Sequence, residues 1–170
     1  NKFFYLPNQY FVHKNHIVVI KALNNILKEK KNDKITIVST GYNVDHRVFG
    51  HFMKINKYLK NYNLNRNYIY LGIVPYKDMM SLIYHSIGMI NPSKFEGWSS
   101  SVEQAKSMGK KIILSDIDVH REQNPRRGKF FNPDDFKKLG KVLQIEWLKY
   151  NSTKEKKIYH KSYGKLEKRL

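Results

Sequence analysis

Five short apolar runs, separated by stretches of helical period, restrict this chain to a narrow set of folds. Phe3–Leu6, Ile35–Val38, Tyr68–Leu71, Ile87–Ile90 and Ile112–Leu114 are β-branched or aromatic-rich and bounded by turn residues, the signature of strands. They are continuous rather than alternating, which suits strands covered on both faces. Between them, His16–Leu27 places Val19, Leu23, Ile26 and Leu27 on one side. Arg47–Tyr62 spaces Val48, Phe52, Ile55, Leu59 and Tyr62 by 4, 3, 4 and 3 residues, the repeat of an amphipathic helix. Tyr76–Tyr84, Ser100–Met108 and Asp134–Tyr150 continue the series, with a sixth short strand expected at Lys129–Phe131. The alternation predicts an α/β fold: a parallel sheet of about six strands with helices on both faces.

At 170 residues the chain is one ordinary domain with enough apolar content for a core. The sheet and its helices are expected to occupy residues 1–152. A basic amphipathic helix follows over 153–170, with Tyr159, Tyr163, Leu166 and Leu170 on one side. That stripe must be buried on this domain, on a partner domain or on a membrane surface. The expected first strand opens almost at Asn1, so the chain reads as the second half of a longer protein. No apolar run approaches the roughly 18–20 residues that cross a bilayer, and no signal-peptide pattern opens the chain. The absence of cysteine excludes disulfides and thiolate metal sites and fits a cytoplasmic location. A formal charge of +18 draws phosphate-rich partners. An AT-rich coding bias towards Lys, Asn, Ile and Tyr accounts for the surface lysines equally well.

In open parallel sheets, ligands bind beyond the carboxyl ends of the strands, and four loops of that kind carry unusual chemistry. Asn8–His16 holds Gln9, His13, Lys14 and His16; Ser39-Thr40-Gly41 permits close backbone approach at Gly41; the third is Gly72-Ile73-Val74-Pro75. The fourth, Pro92–Ser101, contains Glu96-Gly97-Trp98-Ser99-Ser100-Ser101 and feeds a helix. A small-residue loop entering a helix start is an anion site, because free N–H groups and the helix dipole face the ligand. With a carboxylate at its mouth, this one suits a ligand carrying both phosphate and hydroxyl groups, as a nucleotide-sugar does. Glu96 has no helix pair or cap to explain it structurally. Glu103 stands three residues after Ser100, the capping-box spacing, and is assigned to capping. His13 and His16 lack acidic or thiolate partners in the sequence, so no metal is expected there. Trp98 suits stacking on a ligand and closing the loop against the core equally.

Asn8-Gln9-Tyr10-Phe11-Val12-His13-Lys14-Asn15-His16, Leu71-Gly72-Ile73-Val74-Pro75, Asn91-Pro92-Ser93-Lys94-Phe95-Glu96-Gly97, Ser115-Asp116-Ile117 and His120-Arg121-Glu122 occur in that order. Together they resemble the C-terminal, donor-binding half of retaining GT-B glycosyltransferases of family 4 (group 1), of the type that builds bacterial surface polysaccharide. The resemblance implies a Rossmann-like domain that binds a nucleotide-diphospho-sugar, with a preceding half holding a saccharide or lipid-linked acceptor. It implies a hexosyltransferase as the full protein, with this portion alone inactive. It assigns Lys14 to the diphosphate and Glu96 to the donor-sugar hydroxyls, the two catalytic positions. Gln9, His13, Gly41, Gly72, Val74, Gly97, Trp98, Ser99, Ser100, Ser101 and Gln104 complete the expected donor site. No cofactor or metal is implied; a cytoplasmic protein in peripheral contact with an anionic inner-membrane surface is.

Two positions depart from the family pattern. Gln9 stands where an Arg is usual, which removes a bidentate phosphate contact; His13 and Lys94 are candidate substitutes. Gln104 stands where the second Glu of a Glu-x7-Glu motif falls, and accepts a ribose hydrogen bond without the charge. These departures leave a non-catalytic nucleotide- or sugar-binding domain as the alternative. A nucleic-acid-binding module is disfavoured, because no helix-turn-helix, zinc or RNA-binding signature occurs. The reading requires Lys14, Glu96 and the serine-rich helix start on one side of the molecule. It also requires that Glu96 not be locked in an internal ion pair.

Overall fold

The computed structural model describes residues 2–29, 34–155 and 157–159. Six strands form one sheet: β1 (Phe4–Pro7), β2 (Ile37–Thr40), β3 (Tyr68–Tyr70), β4 (Met89–Asn91), β5 (Ile112–Ser115) and β6 (Gly128–Phe131). All pairings are parallel, in the order β3-β2-β1-β4-β5-β6. The chain winds outward from β1 to β3, then returns to place β4 against the other side of β1. That reversal opens a crevice at the carboxyl ends of β1 and β4, the place where such sheets bind ligands.

The helices are α1 (His16–Lys28), α2 (His51–Asn61), α3 (Tyr76–His85), α4 (Ser100–Ser107), α5 (Asp118–Gln123) and α6 (Phe136–Lys149). Each face of the sheet has its own core. Phe4, Leu6, Ile37, Ile90 and Ile113 pack with Val19, Leu23 and Ile26 of α1 and Leu139, Leu143 and Trp147 of α6. Tyr5, Val38, Met89, Ile112 and Leu114 face the other way, onto Ile83, Val102, Ala105 and Met108. The alternation Phe4, Tyr5, Leu6 between two cores is the period-2 geometry of a strand buried on both sides.

Several boundaries differ from the sequence expectation. β1, β2, β4 and β5 run on to Pro7, Thr40, Asn91 and Ser115, because hydrogen bonding continues past the apolar residues. α2 begins at His51 rather than Arg47, since Gly50 takes a left-handed conformation (φ 77°) ahead of it. α6 begins at Phe136, where the Asp135 carboxylate accepts from the Lys138 amide at 2.8 Å. The six-residue α5 was not anticipated; it carries no apolar stripe, and it is held by His120 Nδ1 against the Ser115 carbonyl at 2.9 Å.

Of the terminal segment, residues 152–155 and 157–159 are helical. Tyr159 is buried, as its place on the apolar stripe predicts. Lys110 Nζ donates to its hydroxyl at 2.6 Å and to the carbonyls of Tyr84 and Ser86. Glu155 accepts both arms of Arg127 at 2.9 and 2.8 Å and the Tyr159 hydroxyl at 3.0 Å. Tyr163, Leu166 and Leu170, and residues 30–33, lie outside the described residues.

Candidate functional site

Because β1 and β4 are neighbours, the residues that end them meet. Asn8 Nδ2 donates to Asn91 Oδ1 at 3.1 Å and to Ser93 Oγ at 3.2 Å, and Asn91 Nδ2 donates to Ser99 Oγ at 2.9 Å. The three residues Asn8, Asn91 and Ser93 are buried. They converge on Glu96, whose Oε1 accepts from Ser93 Oγ at 2.7 Å and from Asn91 Nδ2 at 3.3 Å.

Lys14 reaches the same carboxylate from the loop after β1. It closes a single 3-10 turn, Val12–Lys14, followed by Asn15 in the left-handed region (φ 56°). The Asn15 amide bonds the Pro92 and Pro133 carbonyls at 3.1 and 2.8 Å, and the His13 carbonyl accepts from the Lys94 amide at 2.7 Å. The turn is thereby fixed to the β4 loop, and Lys14 Nζ lies 2.7 Å from Glu96 Oε2. Burial raises the Glu96 pKa, but the Lys14 hydrogen bond and charge, with Ser93 and Asn91, outweigh it and hold the carboxyl below its ordinary value.

This pair forms part of the wall of a cavity of about 320 Å³, together with Gln9, Trp98, Ser99, Ser100, Ser101 and Gln104. The required pieces therefore do share one side of the molecule. The expectation of an unpaired Glu96 is corrected: its side chain is 7% exposed and its charge faces Lys14. The reason is that Lys14 and Glu96 are each the nearest opposite charge to the other across the crevice. Both still line the cavity, so the pair is open to a ligand rather than sealed in the core.

The capping assignment of Glu103 is also corrected. Ser99 is the residue before α4, and no side chain caps the helix start. The Glu103 carboxylate instead accepts from Lys106 Nζ at 3.0 Å and from Gln123 Nε2 at 2.9 Å, and Gln123 also donates to the Ser99 carbonyl. One residue further on, and about 100° around the helix, Gln104 lines the cavity. The first amides of α4 are left to whatever occupies the cavity beside Ser99, Ser100 and Ser101.

Five expected site residues do not line this cavity. His13 lies on the other side of the 3-10 turn, where it and Lys94 border a second cavity of about 650 Å³. Neither therefore supplies a cation beside Gln9, and Lys94 is paired with Asp134. Gly41 is a packing glycine: a Cβ there would lie 2.5 Å from the Asn8 carbonyl oxygen. Its amide donates to the Gly72 carbonyl at 2.9 Å. Gly72, in the left-handed region with open space before it, and half-buried Val74 lie further along that loop. Gly97 is exposed between Glu96 and Trp98, with nothing within 4 Å of a Cβ.

His16 is structural: Nδ1 bonds the Tyr68 hydroxyl at 2.8 Å and Nε2 the Gln9 carbonyl at 3.1 Å. Its ring stacks on Tyr10 at 4.0 Å, and burial lowers its pKa to about 4. Among the described residues, no group of three or more His, Asp or Glu could hold a metal ion. Asn8, Asn91, Ser93 and Met79 were missed as site residues. The first three carried a signal, polar side chains at the ends of otherwise apolar strands.

The model of the family "Glycosyl transferases group 1" matches residues 1–163, and the chain belongs to that family. The fold is similar to a UDP-forming alpha,alpha-trehalose-phosphate synthase from Burkholderia xenovorans (TM-score 0.73, 13% identity, 96% of this chain and 40% of that one). It is similar to HepE of Anabaena, solved in complex with UDP (TM-score 0.73, 15% identity, 95% and 44%). It is also similar to a glycosyltransferase from Rickettsia africae (TM-score 0.74, 18% identity, 96% and 43%). The chain thus spans well under half the length of these structures. No curated relative matches it at a significant level. The six-stranded sheet is one Rossmann-like half of the GT-B architecture. Among the described residues, no helix is long and apolar enough to cross a membrane.

Proposed function

We propose that this chain is the donor-binding half of a retaining glycosyltransferase of family 4, taking a nucleotide-diphospho-sugar. The observation that carries this reading is the shared cavity at the β1–β4 crevice. One wall is the uncapped start of α4, and the other is a lysine paired with a carboxylate. An arriving diphosphate competes with Glu96 for Lys14. The ammonium moves to the phosphate, the α4 amides hold the distal phosphoryl group, and the released carboxylate accepts hydroxyl hydrogen bonds from the sugar. As the glycosidic bond breaks, negative charge grows on the diphosphate, where Lys14 and the helix start are already aimed. The acceptor hydroxyl then attacks from the face the leaving group vacates. Lysine and the helix dipole make a metal unnecessary in this scheme.

The substrate is a hexosyl donor, the acceptor a saccharide or lipid-linked saccharide held by a preceding half, and the product a surface polysaccharide. Resemblance in the loop motifs supports these finer points. The charge of +18 supports contact with an anionic cytoplasmic membrane surface. Calorimetry with UDP, GDP and ADP tests the core of the reading. At least one is expected to bind, weakened about tenfold or more by Lys14→Ala, with no sugar transfer by this chain alone. No heat with any of the three overturns it.

A second reading, a non-catalytic nucleotide-binding domain, is favoured by one observation. The cavity presents two neutral amides, Gln9 and Gln104, and Lys14 is its one cation among the described residues. Turnover of the complete protein, compared with its Glu96→Gln variant, separates the two readings.

A further inference from the structure

The 3-10 turn Val12–Lys14 has a cavity on each side. The second, about 650 Å³, lies between the starts of α1 and α2 and the loop after β6, a volume within the usual range for small-molecule sites. Val12, Ile17, Val18 and Val48 supply apolar wall, and the rest of the lining is mostly polar or charged. Four of its charged groups neutralise one another in two pairs. Asp45 holds Arg47 at 3.0 Å, and Arg47 in turn lies over the Phe11 ring; Asp134 holds Lys94.

Two other groups are not satisfied. His51, the first residue of α2, lines the cavity and is 8% exposed, and its Nε2 is buried without a hydrogen-bond partner. Burial lowers the His51 pKa, against the pull of Asp45, so the ring is a neutral donor or acceptor near neutral pH. Lys21, on the exposed side of α1, lines the same cavity and makes no ion pair or hydrogen bond among the described residues. A buried imidazole nitrogen without a partner is rare in a native fold. Placed beside an unpaired ammonium and the valine side chains of the same cavity, it describes the complement of a definite kind of molecule.

We infer that this cavity binds a small organic monoanion with an apolar body. Its charge would lie against Lys21, its hydrocarbon on Val12, Val18 and Val48, and a polar atom would meet His51 Nε2. The surrounding pairs Arg47–Asp45 and Lys94–Asp134 add no net charge, so one negative charge on the ligand balances the site. The assignment stands on residues outside the first cavity and does not depend on what that cavity binds.

1-Naphthoate serves as the probe, with acetate and 1-naphthalenemethanol as controls that carry only the charge or only the hydrocarbon. On the 170-residue chain, naphthoate is expected to bind saturably and to shift the His51 ring ¹⁵N resonances. Both controls are expected to bind at least about tenfold more weakly. Lys21→Gln should weaken naphthoate about tenfold while the circular dichroism and the melting temperature stay unchanged. Absence of saturable binding overturns the inference. Binding that ignores Lys21→Gln, or that leaves the His51 resonances unmoved, also overturns it.

Discussion

Lys14 Nζ and Glu96 Oε2 stand 2.7 Å apart across 82 residues of sequence. They do so because β1 and β4 are adjacent in the sheet while being distant in the chain. Each side chain holds the other in the absence of a ligand, so replacing one tests both its structural and its binding role. Glu96→Gln leaves a half-buried ammonium facing a neutral amide. We expect a loss of about 1–2 kcal/mol in urea unfolding. UDP affinity should stay within about threefold, because Lys14 no longer has a competing carboxylate. The extra affinity that UDP-glucose gains from its hexose should disappear. Parallel calorimetric titrations of both ligands into both proteins check this.

The same pair sets an acid limit. The Glu96 pKa is lowered in the folded chain from an ordinary value of 4.5, so below that value the unfolded chain takes up a proton before the folded one does. The stabilisation is complete above pH 4.5 and is lost as pH falls through the depressed native value. The difference in unfolding free energy between wild type and Glu96→Gln should therefore be constant from pH 7 to 5 and shrink below about 4.5. Urea titrations at several acid pH values measure it.

At the other end of the sheet, Lys110 is 1% exposed and donates to two carbonyls and to Tyr159. Lys110→Met should cost about 2–3 kcal/mol by leaving those acceptors without a donor, and should expose residues 152–159 to limited proteolysis. Burial lowers the lysine pKa to about 7 against 10.5 unfolded. Between those values the unfolded chain carries the proton that the folded chain has given up, so wild-type stability rises with pH. The gap to Lys110→Met should accordingly widen from pH 7 to 9.

Gln9 lies exposed at the cavity where the family pattern has arginine. Gln9→Arg adds a fork of donors to a site with a single lysine. UDP binding should tighten about tenfold, the gain of one charge-assisted bond. It should also become more sensitive to salt. An unchanged affinity at both 50 and 300 mM salt, where the Debye length is about 14 and about 6 Å, would show that position 9 does not reach the phosphate.

Much of this molecule is legible in its residues, and the illegible parts have physical causes. The strands are readable because two-sided burial demands unbroken runs such as Ile112–Leu114, and α1 because its apolar stripe is wide. The β1 and β4 loops could be matched as site material because Glu96 lacks a local structural task. The Lys14–Glu96 bond was not readable, since it depends on strand order, which periodicity does not encode. The capping box failed because Gln123, on the unanticipated α5, offers Glu103 a better partner than the start of its own helix. His13 was misplaced for a simpler reason. On a 3-10 turn successive side chains point about 120° apart, so His13 and Lys14 border different cavities.

Gly41 packs so closely on the Asn8 carbonyl that no methyl group fits between them. Asn8 in turn steadies Asn91 and Ser93, the two side chains that aim Glu96. A bulkier residue in the loop after β2, well outside the first cavity, would thus push on the β1 loop and be transmitted through four amide and hydroxyl contacts to the carboxylate. The alignment of the crevice is set from behind, by a hydrogen atom where any other residue would carry carbon.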